Sequence, residues 1–148
     1  MIKPEKVIKM LKSSNNAKAQ EGLKILLDIV KNDPAIFKNF VPYLKQGLSE
    51  SKEDIRIRFI VTTGIIGKEK PTLVKDLVVP LALNLQDKNE EIKYKAAYSL
   101  YIIALKDPKV ARDSVPVMVK AIEYVVAQGA YPTFRSYKPY TMVLKALR

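Results

Sequence analysis

The chain has 148 residues and a formal net charge of +11, from 26 Lys and Arg against 15 Asp and Glu, and it contains no Cys, His or Trp. Those absences exclude disulfides, thiolate nucleophiles, Cys-based zinc or iron–sulfur centres, and imidazole as general base or metal ligand. No apolar run approaches the ~18 residues of a membrane span, and the opening MIKPEKVIKM has no apolar signal core, so the expected location is cytoplasmic.

Apolar spacing predicts helices over 4–12, 16–31, 35–48, 54–67, 72–86, 90–105, 109–127 and 138–147, with no strand. The first carries Lys3, Lys6, Lys9 and Lys12 around Val7, Ile8 and Leu11, which suits a capping helix better than a membrane-surface amphipath. The second sets Gly22, Leu26, Ile29 and Val30 on one face. One period later the same places hold Phe59, Thr63, Ile66 and Gly67, preceded by Ile55. A period after that they hold Ala96, Leu100, Ile103 and Ala104, preceded by Ile92. Ser51 with Asp54, and Asp87 with Glu90, have the spacing of an N-cap and an acidic N3 residue.

Proline marks the repeat. Pro34, Pro71 and Pro108 are spaced by 37, in the phrases NDPAI, EKPTL and KDPKV, and stop one helix before the next. Pro4, Pro42, Pro80 and Pro116 follow at 38, 38 and 36, and the last three are expected to bend the first helix of each repeat. Repeats of about 37 residues then divide one domain, 1–148, into roughly 1–33, 34–70, 71–107 and 108–148.

These units resemble the HEAT repeat, whose two antiparallel helices often carry a proline in the first, then an Asp, then Val-Arg and Ala-x-x-x-Leu-Gly. The third unit reads VPLALNLQDKNEEIKYKAAYSLYIIA, with Asp87, Ile92-Lys93, Ala97 and Leu100. The second reads VPYLKQGLSESKEDIRIRFIVTTGIIG, with Glu50, Ile55-Arg56, Thr63-Gly64 and Gly67. The outer units depart from the motif: Ser13 and Ala19 stand at its places in the first, and Tyr124 in the fourth. The resemblance implies an all-α, right-handed α-α superhelix of four hairpins, second helices lining the concave face. Eight helices also fit VHS and ENTH superhelices, which lack a clean 37-residue period.

The resemblance also implies that Glu50 and Asp87 with Arg56 and Lys93 form a charged ladder between repeats. A second row, Arg58, Lys95 and Lys138, preceded by Glu21, lies on the polar side of the second helices beside Tyr98 and Tyr101, with Thr62 and Ser99 one turn on. A third row, Lys38, Lys75 and Arg112, falls in the first turns of the first helices and reads as a solvated edge. The stretch 131–148 interleaves Tyr131, Phe134, Tyr137 and Tyr140 with Arg135 and Lys138 and contains no acid. Its aromatics suit either closure of the helical stack or base stacking beside phosphate-binding cations.

With no catalytic, cofactor or metal motif, the expectation is a non-enzymatic scaffold. Its candidate contacts are Arg58, Lys95, Tyr98, Tyr101, Arg135, Tyr137 and Lys138, and its partner a protein or acidic peptide. The alternative is nucleic-acid backbone binding through the basic rows, for which +11 is permissive. An end-to-end dimer would follow if 131–148 caps the stack incompletely.

Overall fold

The computed structural model of the chain describes residues 2–120 together with Thr141, Val143, Lys145 and Ala146. Among these residues every regular element is helical and no strand occurs. The three long helices fall where the periodicity put them: α2 at Asn16–Asn32, α4 at Glu53–Glu69 and α6 at Glu90–Lys106, after α1 at Pro4–Leu11. Each long helix ends at an X-Pro step. Asp33, Lys70 and Asp107 leave helical geometry with ψ of 64°, 91° and 98°, because the following proline ring disfavours αR at the residue before it.

The predicted first helices 35–48 and 72–86 are not bent helices but split ones, and so is 109–127 as far as residue 120; its remainder and most of the predicted helix 138–147 lie outside the described residues. Pro34–Asn39 and Pro71–Leu77 are 3-10 turns, followed by α3 (Val41–Gly47) and α5 (Val78–Leu83), with a further 3-10 turn at Asn84–Gln86. The third begins as α7 (Pro108–Ala111), tightens to 3-10 at Arg112–Ser114, and is α-helical again over 115–120. Pro42, Pro80 and Pro116 cannot donate to the carbonyl four residues back, and their rings crowd it. The preceding turn therefore closes on i→i+3 bonds, such as Phe40 N to Phe37 O at 2.8 Å.

The expected N-caps are also displaced. Asn89, not Asp87, caps α6, its side chain accepting from the Glu91 and Ile92 amides at 2.8 and 3.3 Å. α4 has no side-chain cap at all, Ser51 included, and carries Glu53 and Asp54 in its first turn, against the positive end of the helix dipole. Asn15 caps α2 in the same manner as Asn89.

The helices lie in two rows. In one, α2 packs on α4 and α4 on α6; in the other, α1 packs on α3, α3 on the Pro71–Leu77 turn, and that turn on α7. Four hydrogen bonds tie residues 36 to 39 apart, one period along the chain: Tyr43 Oη to Glu5, Asn84 Nδ2 to Leu48 O, Asn89 Nδ2 to Glu53, and Ser99 Oγ to Ile60 O. The buried Asn84 amide thereby satisfies a carbonyl left open at the end of α3. Between α4 and α6 the approach is close. A Cβ on Gly64 would stand 2.6 Å from Ser99 Oγ, so no larger residue fits there without movement.

A contiguous apolar core runs from Val7 to Val143 and includes Leu26, Phe59, Ile66, Leu100 and Ile103, the positions the helical spacing marked. Val7, Ile8 and Leu11 are buried at its N-terminal end while Lys3, Lys6, Lys9 and Lys12 stay exposed, as a capping helix requires.

Tyr43 donates to the Glu5 carboxylate at 2.6 Å, and this bond holds the Glu5 carboxyl below the usual glutamate range. A lowered acid pKa stabilises the fold at pH above the unfolded value, and that contribution fades as pH falls through the folded one. Tyr43→Phe should therefore raise the Glu5 titration midpoint, read by NMR of its carboxyl carbon, and flatten stability against pH below the usual Glu range.

Candidate functional site

Among the described residues no group of three acidic or metal-ligating side chains could hold a metal ion, and no helix is long and apolar enough to cross a membrane.

The ladder is present, with its rungs rearranged. Arg56 Nη1 donates to the backbone carbonyl of Glu50 at 2.8 Å, and Nη2 to Asp87 Oδ2 of the next repeat at 2.6 Å. Asp87 Oδ1 in turn accepts from the Asn89 amide at 2.8 Å. The Glu50 carboxylate pairs backward with Lys12 at 3.5 Å, a partner the motif did not suggest because Ser13 and Ala19 occupy the motif places in the first repeat. Lys93, largely buried, meets Glu90, three residues away, at 3.4 Å. These residues join repeats and leave little for a ligand.

Arg58 has partners within the fold that its place in a row with Lys95 does not suggest: Nη1 donates to the Leu11 and Ser13 carbonyls at 2.7 and 2.6 Å. Both carbonyls lie at the C-terminal end of α1, where unpaired acceptors and the negative end of the dipole favour a cation. Arg58 therefore staples α4 to the capping helix. Arg58→Ala should cost about 1.5–3 kcal/mol, the range for hydrogen bonds to charged groups. Amide exchange in α1 should accelerate more than in α6; uniform acceleration would contradict the staple.

Thr62 and Ser99 are buried, and Ser99 Oγ donates to the Ile60 carbonyl across the α4–α6 contact. Tyr101 is half-buried against the core and meets Tyr98 edge-on, with ring centroids 6.3 Å apart. Lys95 is half-buried on α6. Lys38, Lys75 and Arg112 are exposed, as a solvated edge. Arg135, Tyr137 and Lys138 lie outside the described residues.

Reading the second helices by their helical wheel gives a different surface. Positions i, i+3, i+7 and i+11 share a face. On α4 that stripe is Asp54, Ile57, Val61, Ile65 and Lys68; on α6 it is Glu91, Tyr94, Tyr98, Ile102 and Leu105. Ile57, Val61, Ile65 and Ile102 are half-buried, while Tyr94, Tyr98 and Leu105 are 43%, 49% and 60% exposed. The matching stripe on α2, Ala17, Gln20, Lys24, Asp28 and Lys31, is polar. Between α2 and α4 opens a hollow of about 300 Å3 lined by the apolar Leu23, Ile57 and Val61 and by the polar or charged Gln20, Asp54 and Arg58. The middle of the stripe on α4 and α6 is aliphatic and aromatic, with Arg58 at the edge of the hollow. The sequence candidates include Tyr98 of this stripe but not Ile57, Val61, Ile65, Tyr94 or Leu105. The signal was their 37-residue register with polar residues on α2.

The cations collect elsewhere. Lys6, Lys9, Lys12 and Lys18, with Ser13, Ser14 and Glu21, line an open cleft of about 670 Å3 at the N-terminal end.

The chain is similar to an engineered protein whose crystal structure was determined as a structural-genomics consortium target. The TM-score is 0.64 at 18% identity, over 99% of this chain and 63% of that one, so this chain spans under two thirds of that protein's length. The likeness is one of fold. No protein-family model matches the sequence, and no curated protein matches it.

Proposed function

We propose that this chain is a non-enzymatic binding module of the HEAT-repeat kind, a right-handed superhelix of four hairpins that recognises a protein segment on the face of its second helices. The observation that carries this reading is the apolar stripe itself: exposed Tyr94, Tyr98 and Leu105 beside half-buried Ile57, Val61 and Ile65. Exposed apolar side chains cost hydration until a partner covers them, and tyrosines are favoured contact residues. Hydrogen bonds one period apart support stacking of like units. With Arg58 bonded to the α1 carbonyls and Lys95 half-buried, the described part of this row favours a protein segment over an acidic peptide held by charge.

Affinity capture from nuclease-treated lysate should retain a protein on the wild-type chain and lose it on Val61→Asp and Tyr98→Glu. Loss of at least about tenfold is expected for each charge placed in a covered apolar contact. Equal capture by wild type and variants would reject the face.

A second reading rests on the lysine cleft, whose cations suit a nucleic-acid backbone. Binding to duplex or single-stranded DNA should then fall steeply with log salt, and Lys6→Ala, Lys9→Ala and Lys18→Ala together should flatten the slope. Absence of binding at ~50 mM salt removes this reading.

A further inference from the structure

The corner between α1 and α2 gathers cations that the fold does not use. Lys6 and Lys9 on α1 and Lys18 on α2 line the same cleft of about 670 Å3, from two different helices. All three are exposed, and among the described residues none of them makes a hydrogen bond or an ion pair. Lys12, on the same cleft, pairs with Glu50 at 3.5 Å yet keeps 41% of its side chain exposed. The carbonyls at the end of α1, which would otherwise draw an ammonium group, already accept from Arg58. Among the described lining residues the one acid is Glu21.

Counting outward keeps the sign. Over residues 2–33 seven lysines stand against four acids, Glu5, Glu21, Asp28 and Asp33, and Glu5 is already bonded to Tyr43. Glu50, from the next repeat, is offset by Arg58 at the end of α1. The first turn of α2 holds no acid, so the positive end of its dipole adds to the same potential. Several unpaired ammonium groups around one hollow repel each other and raise the local concentration of anions.

The donor set narrows the anion. The described lining offers ammonium groups and the hydroxyls of Ser13 and Ser14, with no aromatic ring and no guanidinium. Nothing there stacks on a base or forks onto a carboxylate. Lysine binds phosphate as a point charge, without a fixed geometry. Cations set on two helices around one hollow suit a compact anion that presents charge on several sides, and the volume lies within the roughly 300–1,000 Å3 of small-molecule sites. We propose that this cleft binds a compact oligophosphate, a small molecule carrying several closely spaced phosphate groups, and reads it by charge without contact to a base. The proposal goes beyond the backbone reading of the same cleft, because its occupant is a small molecule.

The test is calorimetric titration of the full chain at ~50 mM salt with inorganic tripolyphosphate, orthophosphate, ATP and duplex DNA. Tripolyphosphate should bind at least about tenfold more tightly than orthophosphate, and ATP within about threefold of tripolyphosphate. Lys6→Ala, Lys9→Ala and Lys18→Ala together should weaken tripolyphosphate at least about tenfold, whereas Glu21→Gln should tighten it. The charge-matched set Lys38→Ala, Lys75→Ala and Lys109→Ala, on exposed lysines away from the cleft, should leave it unchanged. Equal weakening by both triple variants would show attraction by net charge alone and overturn the site, as would no binding of tripolyphosphate. ATP held far more tightly than tripolyphosphate overturns recognition by charge without a base. Duplex DNA held at least about tenfold more tightly than tripolyphosphate, through the same three lysines, overturns the small-molecule occupant and leaves the backbone reading in place.

Discussion

Phe59→Ala should lower stability by about 3–5 kcal/mol, the cost of emptying a fully buried aromatic site. Phe59 has no exposed surface, and its ring lies so close to Gly47 that a Cβ there would overlap it. Domains of this size are stable by about 5–15 kcal/mol, and each kcal/mol shifts the melting temperature by roughly 2–4 °C. A fall of about 10 °C in a thermal melt is therefore expected. The contact with Gly47 sharpens the test. Gly47→Ala by itself forces the ring aside and should cost about 1–3 kcal/mol. In the Phe59→Ala background the same methyl enters vacated space, so the double variant should be more stable than the sum of the two losses by at least about 1 kcal/mol. Strict additivity would mean that the two residues do not share that space.

Arg56→Met should cost about 2–4 kcal/mol, and most of that loss should be recoverable at Asp87. The side chains of the pair are 15% and 22% exposed, so the figure sits below the full cost of breaking a buried pair. Removing the guanidinium leaves the Asp87 carboxylate with the Asn89 amide and the Glu50 carbonyl without its donor. Asp87→Asn keeps an acceptor for the Asn89 amide while discarding the charge. Arg56→Met with Asp87→Asn should then be more stable than Arg56→Met alone, by denaturant titration. A double variant that is worse would show that the carboxylate is well solvated and the pair unimportant. Arg56→Lys should not substitute, because a single ammonium cannot reach a backbone carbonyl of one repeat and a carboxylate of the next with two diverging donors.

Both residues were visible in the sequence, but with different completeness. Phe59 belongs to the series Gly22, Phe59, Ala96, so its burial follows from period and apolarity alone. Arg56 was expected in a ladder, yet its bond to the Glu50 backbone, and the pairing of that residue's carboxylate with Lys12, required three-dimensional neighbours. The caps show the same division. Asp87 and Asn89 compete for the start of α6, and Asp87 is withdrawn because Arg56 and the Asn89 amide already occupy its oxygens.

Composition and period were enough to establish a helical chain with repeated core positions and without the side chains of thiol or imidazole chemistry. Helical geometry is local: spacing along the chain dictates which residues share a face, and proline acts on its own neighbours. Tertiary structure decided the fate of the long cations and of the face. Arg58 lies 45 and 47 residues from the carbonyls it binds, and no local rule says that the end of α1 comes within its reach. Those two bonds commit one member of the expected basic row to a contact within the fold. A long flexible cation has many destinations, and the one it takes is set by where the fold leaves an acceptor unpaired.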